Sequence, residues 1–182
     1  MAGYNPGRFK VSMKKIKSLF VELNLTKAEI KSVKKNLFNI KRTLKSGDMQ
    51  LAKVISLEPL LIACFSDEFD SVLIYEYPSF LVNKYYLKEE QYLVCSNSYW
   101  PRECFSVEKD IIIGGKASSH FRDVICFVPL FICKEDQELF CKTVYDKLFT
   151  DEEIEHFNTS IDVYLKVMPD SRRNGFKTLI YY

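Results

Sequence analysis

The segment from Leu25 to Gly47 leaves its backbone little choice. Thr26 and Glu29 stand at the spacing of a capping box, in which the threonine hydroxyl satisfies the third helical N–H and the glutamate reaches back to the cap. Leu25 and Ile30 flank that cap as a hydrophobic staple, and Gly47 supplies a stop. Between them Ile30, Val33, Leu37, Ile40 and Leu44 recur at spacings of 3, 4, 3 and 4, which draws one apolar seam along a helix. Just upstream, Met13, Ile16, Leu19, Phe20 and Leu23 form a second amphipathic segment. Residues 12–45 are therefore expected to fold as a helical hairpin with basic outer faces.

Charge sets this region apart. Residues 1–47 carry 12 Lys and Arg against 2 Glu, whereas residues 48–182 carry 14 against 22, so the net charge of +2 conceals an arm near +10 on a body near −8. A cationic surface attracts phosphate, acidic lipid or acidic protein. Lys outnumbers Arg by 20 to 6, which favours nucleic acid less than an Arg-rich surface would, because Arg makes the bidentate phosphate contacts.

Beyond the arm, runs rich in Val, Ile, Leu, Phe and Tyr read as strands at 51–57, 60–66, 72–77, 91–96, 110–113 and 124–128, with a short helix at 78–85. A helical face follows across 135–149. Thr150 and Glu153 form another capping box, opening a helix of about two turns. From Ile161 the apolar period switches to two, and Phe176 to Tyr182 repeats it after a loop. That pattern predicts a terminal hairpin, with a helix running on through 152–168 as the rival. The expected fold class is α+β: a basic N-terminal helical hairpin on residues 1–47, and an α+β body on 48–182. The body is a mainly antiparallel sheet of about six to eight strands with two later helices.

The six cysteines lie in apolar runs with no C-x-x-C pair and no zinc-module spacing, so they read as free thiols in a reducing cytoplasm rather than disulfides or a metal site. No signal peptide or membrane-spanning apolar run is evident, and a soluble cytoplasmic protein without cofactor is expected.

Among sites that carry chemistry, the acidic turn Asp67, Glu68 and Asp70 offers oxygen ligands but lacks the glycine and distal glutamate of a calcium loop. Gly114-Gly115-Lys116 resembles a small anion nest without the spacing of a phosphate loop. His120 and Cys126 offer a base and a thiol with no third group to orient them. Asp151, Glu152, Glu153 and Glu155 fall in the first turns of a helix, where negative charge complements the macrodipole. Asn97 to Arg102 combines Tyr99, Trp100 and Arg102, the residue types enriched at binding hot spots, on a segment that Pro101 should make a loop; the alternative is that Trp100 plugs the core edge.

Three functions follow. The first is a non-enzymatic binding protein that occupies a macromolecular partner in the manner of an inhibitor, antitoxin or immunity protein, using Tyr99, Trp100 and Arg102. The second is nucleic-acid binding through Lys31, Lys34, Lys35, Lys41 and Arg42, which would serve an acidic protein partner equally well. The third is an enzyme built on residues 114–120 or 67–70. The first is preferred, since no catalytic constellation is evident. The acidic body of this chain, or of a second copy in a homodimer, is an alternative counter-surface for the basic arm.

Overall fold

The computed structural model describes residues 9–101, 107–118, 120–134 and 149–177. Two helices come first, α1 (Met13–Glu22) and α2 (Lys27–Ser46). The Thr26 hydroxyl accepts from the Glu29 N–H at 3.3 Å and the Glu29 carboxylate accepts from the Thr26 N–H at 2.8 Å, so the capping box forms as the sequence predicts. Asn24 takes the left-handed conformation (φ 49°) that a tight turn between the helices requires. Ile16 of α1 packs on Val33 of α2.

Three strands follow, β1 (Asp48–Leu57), β2 (Leu60–Ser66) and β3 (Ser71–Tyr77), then α3 (Phe80–Tyr85), β4 (Tyr92–Pro101), β5 (Phe121–Phe127) and the single turn α4 (Pro129–Ile132). A long helix, α5 (Asp151–Val167), and a two-residue strand, β6 (Arg173–Asn174), complete the described fold. The strands form one sheet in the order β5-β4-β1-β2-β3-β6, antiparallel except for the last pair. This is the α+β architecture expected.

Both faces of the sheet are covered, which explains why β2 and β3 read as continuous apolar runs rather than alternating ones. Leu60, Ile62 and Cys64 with Leu73, Tyr75 and Tyr77 enter the main core on one face. Leu61 and Ala63 with Val72 and Ile74 meet Phe157, Ile161 and Tyr164 of α5 on the other. Leu19, Ile40 and Leu44 from the N-terminal helices join the main core, so the helical hairpin and the sheet share it.

The sheet curls until its two edges meet. The Tyr75 hydroxyl on β3 accepts from the Cys126 N–H on β5 at 3.2 Å, and Arg173 Nη1 on β6 donates to the Val124 carbonyl on β5 at 2.6 Å. Arg173 also pairs with Asp110 (Nη2 to Oδ1, 2.6 Å) and with Asp123 (Nη1 to Oδ1, 2.8 Å).

Several expectations need correction. Residues 161–167 are helical, not a strand. Phe157, Ile161 and Tyr164 are buried at spacings of 4 and 3, while Val163 and Val167 stand 48% and 61% exposed, so the apparent alternation never addressed a sheet. The first arm of the expected terminal hairpin is therefore helix, the second arm beyond Lys177 lies outside the described residues, and β6 pairs in parallel with β3 inside the predicted loop. Residues 110–113 form no strand: Asp110 serves Arg173, and the N–H of Ile111 closes a turn onto Glu108. Pro101 ends β4 at the sheet's rim, where the pairing with β5 shifts register, rather than opening a loop at Asn97. The helical face expected at 135–149 lies almost wholly outside the described residues.

Candidate partner-binding surface

On α2 the seam residues Val33, Ile40 and Leu44 are buried, which fixes what the opposite face presents. Lys27, Lys31, Lys34, Lys35, Lys41, Arg42 and Lys45 are all exposed. At 100° per residue they occupy an arc of about 120°, and Phe38, which is 73% exposed, falls at its centre. Among the described residues no acid pairs with Lys31, Lys34, Lys35, Lys41 or Arg42. The sequence shows the cations readily; Phe38 escapes notice because it sits outside the apolar seam.

Gly47 turns the chain from α2 into β1 without a left-handed residue; its φ is −75°. Glycine is needed here for close approach, since a β-carbon would overlap the carbonyl oxygens of Asn97 and Thr43. This junction opens a cleft of about 240 Å³ lined by Arg42, Thr43, Ser46 and Asp48 on one side and Asn97, Ser98, Tyr99 and Phe121 on the other. Arg42 and Tyr99, read from the sequence as parts of two separate surfaces, thus line the same cleft. Behind it the Tyr99 hydroxyl donates to Asp67 at 2.7 Å, and the Asn97 amide donates to the Phe65 carbonyl at 2.8 Å. Burial raises the Tyr99 hydroxyl above its ordinary pKa and the Asp67 charge adds to the effect. Burial likewise raises Asp48, followed by the negative charges of Asp67 and Glu68.

Trp100 is 40% exposed, with the Arg122 guanidinium carbon 5.8 Å from its ring centroid. It caps the rim of the sheet while leaving one side in solvent. Arg102 lies outside the described residues.

The two segments of the enzyme reading do meet. The Gly114 N–H donates to the Phe69 carbonyl at 2.9 Å and the Ser118 N–H to the Glu68 carbonyl at 2.6 Å. What occupies the glycine turn, however, is the chain's own carboxylate: Asp70 accepts from the Lys116 N–H at 3.0 Å and contacts His156 Nε2 at 2.7 Å. The Asp70 and His156 pair ties α5 to the β2–β3 turn, and among the described residues no hydroxyl or thiol nucleophile bonds to the imidazole. His120 sits exposed at the start of β5, while Cys126 is wholly buried near its end. Those two do not form a pair. The carboxylates Asp151, Glu152 and Glu153 occupy the first turn of α5, as their helix-capping reading requires.

Inside the curl, Cys64, Cys95 and Cys126 converge from β2, β4 and β5, their sulfurs all within 4.8 Å of one another. Together with Cys133 these are free and buried thiols. Burial raises Cys64 and Cys95 well above the ordinary thiol range. At Cys126 burial works in the same direction, but hydrogen bonds from Cys64, Cys95 and Tyr75 and the charge of Arg173 overcome it and hold that thiol low.

No helix among the described residues is long and apolar enough to cross a membrane. Comparison with known proteins finds no protein family, curated relative or solved structure that matches this chain.

Proposed function

We propose that this protein is a non-enzymatic binding protein that occupies an acidic protein partner through the exposed face of α2, in the manner of an inhibitor, antitoxin or immunity protein. The observation that carries the reading is the cationic arc centred on Phe38, none of whose five sequence-nominated cations has an acidic counterpart among the described residues. An apolar anchor ringed by charge has the layout of a protein interface, with a desolvated centre and a polar rim. Complementary charge would steer the encounter and Phe38 would slow dissociation. Tyr99 extends the surface across the cleft from Arg42. The free, buried cysteines support a reducing, cytoplasmic setting.

Nucleic acid is the second reading, favoured by the same unpaired cations and disfavoured by the dominance of Lys over Arg on the face. A photo-cross-linking residue placed at position 38 in cells tests both. A single stoichiometric protein adduct, lost when Lys34, Lys35, Lys41 and Arg42 are reversed to Glu, supports the proposal. The alternative prevails if the purified protein instead binds duplex or single-stranded oligonucleotides, with affinity that falls steeply with salt and vanishes in the same variant.

A further inference from the structure

From the three thiols inside the curled sheet we infer that Cys64, Cys95 and Cys126 form a trigonal site for a soft, thiophilic metal ion of the monovalent copper class. The cysteines come from three different strands, and β1 separates β2 from β4 in the sheet, so no local spacing produces the cluster. It exists because the sheet curls. A metal–sulfur bond of about 2.3 Å places three trigonal sulfurs about 4.0 Å apart. Thiols already within 4.8 Å of one another need little movement to reach that arrangement.

The surroundings select the ion. All three residues are 0% exposed, and among the described residues the cluster offers three ligands and no fourth. Structural zinc takes four ligands in a tetrahedron, and a catalytic zinc completes its shell with water, which this interior excludes. Thiolate donors select soft ions, and three-coordinate sulfur suits monovalent copper. Cys95 Sγ lies 3.4 Å from the Leu51 carbonyl and 3.4 Å from Asn97 Oδ1, and the Cys126 N–H is held by Tyr75. These contacts position the Cys95 thiol and the Cys126 backbone in the metal-free protein, and on binding Cys95 gives up the proton that it shares with those oxygens. On binding, the ion displaces thiol protons to solvent with no change in oxidation state.

The test uses the full chain with Cys104 and Cys141, which lie outside the described residues, replaced by serine. Fully reduced protein is titrated anaerobically with Cu(I) against a chromophoric chelator, with Zn(II) in a parallel arm. The expected result is one Cu(I) per chain, a raised melting temperature, and an X-ray absorption spectrum fitted by three sulfur scatterers at about 2.3 Å. Cys64→Ala and Cys126→Ala should each weaken binding about a hundredfold or more, whereas Cys133→Ala, another buried free cysteine outside the cluster, should leave it unchanged. The proposal is overturned by absence of stoichiometric binding, by binding that survives Cys64→Ala and Cys126→Ala together, by preference for Zn(II), or by equal loss in Cys133→Ala. If the cluster variants fail to fold, the absorption spectrum of the parent protein decides alone: a shell without three sulfurs rejects the site.

Discussion

Tyr75 and Cys126 stand on opposite arms of one curled sheet, and the Tyr75 hydroxyl accepts the Cys126 N–H at 3.2 Å across its interior. Cys126 pairs with Asn97 of β4 along one side of β5. Its N–H thus finds in a buried phenol the partner that a further strand would otherwise supply. Tyr75→Phe keeps the ring and removes the acceptor, leaving a buried donor unsatisfied. The expected loss is about 1–3 kcal/mol, measured as a shift in the urea midpoint with an unchanged m-value.

Arg173 closes the same sheet from the β6 edge and holds Asp110 and Asp123 at once. Burial raises the Asp123 carboxyl first, and Arg173 only partly offsets it. Arg173→Met removes the cation from two half-buried carboxylates and should cost about 3–5 kcal/mol in chemical denaturation at neutral pH. Arg173→Lys should recover only part of that, because an ammonium cannot reproduce the two-pronged contact that Nε and Nη2 make with the two Asp110 carboxylate oxygens.

Asp48 gives a pH dependence with a definite sign. Its pKa in the folded protein lies above the ordinary aspartate value, so the neutral form is favoured on folding. The associated stability is present below the unfolded pKa and is lost as pH rises through the folded one. Asp48→Asn should therefore be more stable than the parent at pH 7, by less than about 1 kcal/mol given the solvent screening of a half-buried group. The advantage should disappear at pH 3. A variant less stable at pH 7 than the parent would show that Asp48 has a favourable partner instead.

Phe38 and Ile40 are two positions apart on α2, with 73% and 0% exposure. Ile40→Ala should cost about 2–5 kcal/mol, while Phe38→Ala should stay within about 0.5 kcal/mol. Reversing Lys34, Lys35, Lys41 and Arg42 to Glu should likewise leave the melting temperature nearly unchanged while abolishing partner binding. A large loss of stability on reversal would mean that the arm rests on an acidic surface of its own chain.

Gly114 approaches the backbone of the β2–β3 turn so closely that a β-carbon would overlap the Asp70 carbonyl oxygen. Gly114→Ala should destabilise by about 1–3 kcal/mol. Gly115 has open space around it, so Gly115→Ala should be close to neutral. Parallel thermal melts of the two variants separate these outcomes.

Features that depend on neighbours along the chain were legible before folding. The Thr26 and Thr150 caps, the seam of α2, the span of β2 and the cationic arc all follow from hydrogen bonds and side-chain periods within a few residues. Where two periods coexisted, local reasoning failed. Residues 161–167 alternate like a strand, yet the capping box at Thr150 nucleates a helix, and burial of Phe157, Ile161 and Tyr164 against the sheet carries it through Val167. Tertiary structure alone decided the curl of the sheet, and with it every long-range feature. It set the parallel pairing of β6, the closure by Arg173, and the capture of Asp70 in the glycine turn. It also brought Arg42 and Tyr99 to one cleft and three distant cysteines to one point. None of these has a local energetic signature, because each arises from contacts between strands that only the folded sheet brings within reach.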